Sequence, residues 1–568
     1  MTKMTQRILI QVILPLKLDW EPFYWAEESL ERGDRIGVTF SNRKYVAVVD
    51  KVDVTTGLDC GKIRSVDDYS PGLPPISERE LDFWRFVADY YLCTIGEVYL
   101  AAYPHTKIRS EQVAARAVEN AARRRQIELE ALEKRLERLQ ERLSAKEALI
   151  QSRLSGGRAK SEAVTQRLQE ERMRIADEFA VMEERVAKAR EAVEAGEAGE
   201  DIPALQNSCN TPSKPLLLSA ADRVPEYKKA IAQTLGEGRD VLVLTPDNLN
   251  CKKLECGLRE EFPELMTVNS TISQVRRRKV SDAVRQGGGN VVLGTRLAVF
   301  LPFRDLGLII VDNEQDPYFK QTDIAPRYNA RDCAMKLALI HGARVMLGSS
   351  APSLETVLNA RSGKYATMAA DGQSCASVEI VDLIAERGKR GVKGYYSYKL
   401  IEAVRSVTGR VVLIRGWERP EELLQQTAEL FPGREVEIMR YPEAREAELE
   451  SADLVAVLQA DALVDNDDFR ADERGAQIIA QLASRCRRLV VQTAVAARFD
   501  GSRSIDDLLK ERKDFGFPPY TRLVEYRLRS DATPVGRFFL KRDASLSEMK
   551  RRIAADVPEG SYIDVDPI

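Results

Sequence analysis

The sequence predicts an α/β protein: two parallel-sheet lobes, preceded by a β-rich domain and a long helical hairpin. Three observations carry this expectation. From Asp240 to Thr356, and again from Val411 to Thr493, short apolar runs alternate with helical stretches. The runs are VLVLT, VVLG, LGLIIVD and RVMLG in the first stretch, then VVLI, VEIM, LVAVLQAD and LVVQT in the second. Continuous apolar strands separated by helices are the mark of parallel sheets buried on both faces. From Ser110 to Gly196, Leu132, Leu136, Leu139, Leu143, Ile150 and Leu154 recur at heptad-compatible spacing, and Val164, Leu168, Ile175, Phe179, Met182 and Val186 resume the pattern after Gly156-Gly157. Two such helices joined by a Gly-Gly turn predict an antiparallel coiled-coil hairpin.

The N-terminal region begins with the β runs ILIQVILPL, DRIGVTF and YVAVVDKVDV. It turns helical after Ser77, where Ser77 and Glu80 form a capping box ahead of LDFWRFVADYYL. The run Ile8–Leu16 is interrupted by Gln11 and lacks a small-residue cleavage site, so it reads as a strand and not a signal peptide. No stretch approaches the ~20 apolar residues of a membrane span.

Composition sets further bounds. A chain of 568 residues is too long for one core, and about three to five domains are expected. A net charge of −3 gives no global basic field, so any contact with DNA must be local. The 8 cysteines contain no Cys-x-x-Cys pair, which predicts reduced cytosolic thiols and argues against a zinc site. His341, ahead of Gly342 at an expected helix end, reads as a capping residue.

The order Gly294-Thr295-Arg296, then Asp312-x-Glu314, then Gly348-Ser349-x-x-Pro352-Ser353 resembles the first motor lobe of superfamily 2 helicases. The intervening words LGLIIVD, YFKQ (Tyr318–Gln321), RYNARD (Arg327–Asp332) and LGSSAPSLET (Leu347–Thr356) resemble the replication restart helicase family of primosomal protein N′. PFYW (Pro22–Trp25) and ADYYLCTIGEVYLAAYP (Ala88–Pro104) resemble that family's N-terminal DNA-binding domain. The resemblance implies residues 1–109 as a domain for 3′ DNA ends and 201–370 and 371–505 as two RecA-like helicase lobes. It also implies 506–568 as a shortened C-terminal domain, with the hairpin of 110–200 standing where relatives carry a winged helix.

The resemblance implies a 3′-end pocket at Phe23, Tyr24, Trp25, Gly33, Phe40 and Lys62, with further DNA contacts at Thr295 and Arg296. The near-neutral charge balance of this domain fits a small stacking pocket better than a backbone track.

The phosphate loop is different. Leu216–Tyr227 (LLLSAADRVPEY) lies over the family's Gly-rich loop and has no glycine; Arg223 stands at the Lys position and Val224 at the magnesium hydroxyl. The family's Asp-Glu-Glu-His becomes Asp312-Asn313-Glu314-Gln315, and an amide at 313 cannot act as a base. Ala460–Arg474 (ADALVDNDDFRADER) resembles the approach to the arginine-finger helix, which would leave Arg485 and Arg488 as finger positions. The family's zinc insertion is missing, since Arg415-Gly416-Trp417 leads almost directly to Glu422-Leu423.

The expected protein is a degenerate, bacterial, cytoplasmic and nucleoid-associated member of this family. It would have no catalytic residues beyond vestiges, and ATP and magnesium use would be lost or weak. It would hold no zinc. It would bind forked, gapped or 3′-ended DNA and recruit replication or repair proteins through the hairpin. Two alternatives stand beside it: a weakly active 3′-to-5′ helicase in which Arg223 replaces the lysine, and a structural assembly protein without DNA contact.

Overall fold

The structure is a computed structural model that describes residues 7–104, 213–220, 222–369, 376–464 and 467–567, with isolated positions between 136 and 183. The chain divides into two compact units, one holding residues 1–69, 74–106 and 209–568, the other 70–73 and 107–208. The hairpin expected over Ser110–Gly196 lies almost wholly outside the described residues. Of the positions described there, Leu136, Glu147 and Arg172 are helical, and Arg172 pairs with Glu147 at 2.8 Å.

In the first unit, strands β1 (Ile8–Ile13), β2 (Phe23–Ala26), β3 (Arg35–Phe40) and β4 (Arg43–Val52) form an antiparallel sheet ordered β2-β1-β4-β3. Helices α1 (Glu78–Tyr91) and α2 (Ile95–Ala102) follow. Both begin with reciprocal capping boxes, Ser77 with Glu80 and Thr94 with Glu97. The buried face of α1 carries Phe83, Trp84 and Val87, and the Phe83 ring lies 5.6 Å from Phe300 of the next domain.

The first parallel sheet contains β5 (Leu216–Ser219), β6 (Asp240–Leu244), β7 (Met266–Val268), β8 (Val291–Gly294), β9 (Leu306–Asp312), β10 (Arg344–Ser349) and β11 (Ala366–Ala369). Their order is β11-β5-β10-β9-β6-β8-β7. Every residue of β9 is buried, as its unbroken apolar sequence requires. The second parallel sheet takes β12 (Ser377–Asp382) and, after the small hairpin β13 (Val392–Lys393) and β14 (Tyr396–Ser397), β15 (Val411–Arg415), β16 (Val436–Arg440), β17 (Leu454–Val457) and β18 (Arg488–Thr493). Its order is β12-β18-β17-β15-β16. The expected lobes are present: β6, β8, β9 and β10 and then β15 to β18 lie on the apolar runs that predicted them, whereas β5, β7, β11 and β12 were not foreseen. The C-terminal segment adds an antiparallel sheet of β19 (Thr521–Leu528), β20 (Pro534–Lys541) and β21 (Ser561–Val565), ordered β20-β19-β21. No helix among the described residues is long and apolar enough to cross a membrane.

Cys251 and Cys256 share the helix Asn248–Arg259, the first buried and the second exposed, so they face apart. His341 ends the helix Ala330–His341, but the cap is Gly342, whose φ of 61° supplies the left-handed turn. The imidazole is buried instead of capping. Burial, then Arg79 and Arg239, lower its pKa to about 3. The helix dipole would favour a charged His at this end, so burial wins.

Three parts of this unit meet at Lys320, in the YFKQ loop, whose side chain is wholly buried. Its ammonium donates to the carbonyls of Arg327 and Val565, both at 2.6 Å, and pairs with Asp564 at 2.8 Å. It also lies 5.3 Å from the ring of Tyr91 on α1. Beside it, the Tyr90 hydroxyl donates to Asp566 at 2.9 Å and Arg522 pairs with the same carboxylate at 3.0 Å. Burial works against the Asp566 charge, but Arg522 and Tyr90 hold its pKa below the ordinary value.

Replacing Lys320 by Met keeps the stem and leaves the buried Asp564 with only the more distant Arg527, at 3.8 Å, as a counter-charge. Urea unfolding should report a loss of about 3–5 kcal/mol, recovered in large part by adding Asp564→Asn. The pH dependence has its own signature. The unfolded His341 titrates near about 6.5, above its folded value of about 3. Stability should therefore fall as pH drops from about 6.5 toward 3, because the unfolded chain binds the extra proton. His341→Gln should show a shallower fall over that window in urea titrations at successive pH values.

Candidate functional site

The chain's chemistry-bearing residues gather at the carboxyl ends of β5, β9 and β10, where parallel sheets present their sites. After β5 the chain makes a short turn into the helix Val224–Gly236, with Arg223 as its N-terminal cap position. The Arg223 side chain makes no capping hydrogen bond to this helix. Its second residue is Pro225, which has no amide hydrogen, and the Val224 amide donates to Asp222 at 3.1 Å.

The Arg223 guanidinium turns inward. Its Nε donates to Asp312 Oδ1 at 2.7 Å and to the Tyr227 hydroxyl at 3.2 Å. Its Nη1 donates to the Ala220 carbonyl at 2.8 Å and its Nη2 to Asn313 Oδ1 at 2.9 Å. Tyr227 then donates its own hydroxyl to Asp312 at 2.8 Å. Every guanidinium nitrogen thus has a partner inside the chain, and Arg223 and Asp312 expose only 10% and 11% of their side chains. Burial alone would lower the Arg223 pKa, but Asp312 and Tyr227 outweigh it and raise it. The cluster fits because residue 348 is glycine: a Cβ there would stand 1.7 Å from the Tyr227 hydroxyl.

The other acidic-loop residues serve packing. Asn313 adopts a φ of 54°, which asparagine tolerates better than most residues. Glu314 accepts from the Ser353 amide at 2.7 Å and pairs with Arg331 at 3.1 Å. Gln315 accepts from Ser349 at 2.6 Å. Asp316 is met from the second lobe by Arg445, whose Nη2 lies 2.8 Å from Asp316 and 2.9 Å from Asp247. The same guanidinium covers the Tyr318 ring at 4.4 Å. A second bridge joins the lobes where Glu473 accepts from the Leu354 amide at 2.9 Å and from Arg512 at 3.0 Å. A small polar crevice of about 100 Å³ opens between Glu314, Arg331, Glu473 and Arg522.

The two expected finger positions lie elsewhere. Arg485 donates to the carbonyls of Ala444 and Arg445 at 3.4 and 3.2 Å, ending the short helix that carries Arg445. Arg488 opens β18, so it lies at the amino end of the sheet, away from the crevice, and donates to Ser406 at 2.9 Å. Arg445, which does reach across, was missed because its partners are 129 and 198 residues away.

In the N-terminal domain, alternation along β2 separates the expected pocket residues. Phe23 and Trp25 lie on the half-buried face, while Tyr24 points into the core. The Tyr24 hydroxyl donates to the Thr39 carbonyl at 3.1 Å, and burial pushes its pKa up to about 12. Tyr24 is therefore a core residue, which corrects its placement in the pocket. Gly33, with φ 96°, is structural: a Cβ would come within 2.0 Å of the Ile76 carbonyl oxygen. Phe40 is half-buried and packs against the core cluster that holds Tyr24, away from Phe23 and Trp25, and the exposed Trp20, which carries no motif, has its ring 6.2 Å away. Lys62 is 85% exposed, near Asp59, on the segment that runs beside Trp25.

Thr295 is buried at the end of β8, and Arg296 donates to the Tyr318 carbonyl at 3.3 Å. Nearby, the helix Gln274–Gln286 exposes Arg276, Arg278 and Lys279, none in an ion pair among the described residues. The run VRRRK in the sequence was the available signal for them.

Residues 11–104 match the family model of a PriA 3′ DNA-binding domain (3′BD). Two replication restart proteins PriA align over most of the chain. The Rickettsia prowazekii protein is 23% identical over 410 residues, covering 70% of this chain and 51% of that protein. The Haemophilus influenzae protein is 26% identical over 434 residues, covering 70% and 56%. The chain is similar to the replication restart proteins PriA. It spans only about half the length of these relatives. Among solved structures, RecG bound to a three-way DNA junction gives a TM-score of 0.34 at 13% identity, covering 54% of this chain and 42% of that one. The Mycobacterium smegmatis helicase Lhr bound to ssDNA and AMP-PNP gives 0.32 at 12% identity, covering 50% and 44%. Both likenesses are loose, and the strand orders themselves define the two lobes.

Tyr24→Phe removes one hydrogen bond from the core and should lower stability by about 1 kcal/mol in urea unfolding. Arg223→Ala leaves Asp312 buried without its cation and should cost about 3–5 kcal/mol, whereas the double change with Asp312→Ala should cost less than the sum.

Proposed function

We propose that the chain binds branched or 3′-ended DNA in replication restart and recruits replication or repair proteins, without hydrolysing ATP. The observation that carries this reading is the Arg223–Asp312–Tyr227 cluster. Magnesium is held in this class of site by a carboxylate and a hydroxyl, and phosphates by glycine-rich backbone and a lysine. Here the carboxylate is already satisfied by a guanidinium and a phenol. Val224 offers no oxygen, the Val224 amide is engaged, and Asn313 replaces the carboxylate that would orient water. These residues do not fit a magnesium–nucleotide complex, so no hydrolytic step is derived for the chain. Arg445 supports the same reading, since its guanidinium joins the lobes by pairing with Asp247 and Asp316 directly.

DNA binding is supported by the N-terminal domain. Phe23 and Trp25 share one half-buried face of β2, and a stacking surface of this size suits a strand end better than a long backbone. Arg276, Arg278 and Lys279 provide free cations on the first lobe for phosphates.

ATP turnover measured with forked DNA should stay at background, since each missing element is worth about two orders of magnitude or more in rate. Turnover near one per second that Asp312→Ala abolishes would refute the reading. The full chain should also bind a strand ending in a 3′ hydroxyl more tightly than one ending in a 3′ phosphate, and Trp25→Ala should remove that preference. Equal affinity for the two ends would leave end recognition unsupported.

A further inference from the structure

The helix Ala471–Ala483 of the second lobe turns a polar stripe toward the first lobe. Glu473, Gln477 and Gln481 recur at steps of four and so share one face. Glu473 accepts from the Leu354 amide at 2.9 Å, and Gln481 Nε2 donates to Asp316 Oδ2 at 3.2 Å. Gln477 stands between them and donates to Glu473 at 3.4 Å. The two ends of the stripe are about 12 Å apart along the helix axis. The lobes are therefore joined at two separated points of one helix, and not at a single point about which they could swing.

Each end is reinforced. At the Gln481 end, Arg445 pairs with Asp316 and Asp247, and Lys253 of the first lobe pairs with Glu450 of the second. At the Glu473 end, Arg512 brings in the helix Ile505–Asp514. That helix packs Leu508 and Leu509 on Leu354 and Val357 of the first lobe in one buried apolar cluster. Arg361 pairs with Asp506 along the same seam. The exposed pairs, Lys253–Glu450 and Arg361–Asp506, add little. Asp316 and Glu473 expose only 1% and 10% of their side chains, so water screens their contacts weakly, and these contacts with the apolar cluster carry the closure.

A ligand shifts an equilibrium between open and closed lobes only by binding one arrangement better than the other. The crevice that Asp316, Gln477 and Glu473 help to line holds about 100 Å³, whereas sites for small molecules run from about 300 Å³ upward. The Arg223–Asp312–Tyr227 cluster spends its donors and acceptors on itself. Neither place gives a nucleotide a grip on the lobes. We propose that these contacts alone hold the two lobes closed, and that nucleotide neither drives nor reverses the closure. The inference concerns the lobes and rests on no part of the DNA-binding reading.

The test uses the full chain, alone and with magnesium ATP, in small-angle X-ray scattering and in hydrogen exchange followed by mass spectrometry. The radius of gyration, and exchange over Asp316–Tyr318, Tyr441–Glu446 and Ala471–Ala483, should be the same with and without the nucleotide. Arg445→Ala with Gln481→Ala frees one end of the stripe and should let the lobes swing about the other. The radius of gyration should then rise, and exchange over Asp316–Tyr318 and Tyr441–Glu446 should quicken by about 10- to 100-fold. The buried strands β9 and β15 should keep their parental rates, which separates opening from unfolding. An ATP-dependent change in the parent chain would overturn the proposal, and that comparison stands whatever the variant does. So would a folded double variant with parental scattering and exchange. A chain that hydrolyses no ATP and still opens when ATP is added would refute this inference while leaving the proposed function intact.

Discussion

Lys320 puts a full positive charge where no water reaches it, and the arrangement of the larger unit depends on how that charge is satisfied. Two carbonyls and one carboxylate do so, one carbonyl from its own loop and the other acceptors from β21. The Tyr91 ring of α1 closes the remaining side. A buried ammonium tolerates no sliding between these parts, because any displacement strands a charge in a low-dielectric interior. The N-terminal helices, the first lobe and the C-terminal sheet are thereby fixed in one register, and the neighbouring Tyr90–Asp566–Arg522 contacts repeat the constraint.

The same principle operates at the carboxyl ends of the first sheet with a different outcome. There the buried cation is Arg223, and its counter-charge is the acidic residue that ends β9. A lysine in a phosphate loop reaches outward to a ligand; this arginine forks back onto its own sheet, where its planar donors meet a carboxylate, an amide oxygen and a carbonyl at once. Charge that would otherwise attract a ligand is cancelled inside the chain. The glycine at 348, which leaves room for the Tyr227 hydroxyl, shows that the packing around this cluster is close.

Much of the fold was legible because its signals are local. The all-apolar run of β9, the Ser77–Glu80 box and the alternation of apolar runs with helices each need only neighbouring residues to be read. The absence of glycine from Leu216–Tyr227 was equally legible, since it is a matter of composition. What Arg223 does there was not, because its partners lie 89 and 90 residues away. Arg445 was invisible for the same reason, and Arg488 misled because a residue's place in a motif does not reveal which end of its strand faces the crevice. Tyr24 is a different case. The period-two rule applied to Phe23–Ala26 would have sent it inward, but a family word was carried over whole.

Arg445 has a consequence for how the two lobes hold together. A clamp made by a diffusing ligand closes and releases as that ligand comes and goes. Arg445, Asp247 and Asp316 belong to one polypeptide, so the clamp re-forms at a local concentration in the millimolar range or above, whatever the solution contains. The distance between surfaces on the two lobes is thereby set in part by a contact within the chain itself.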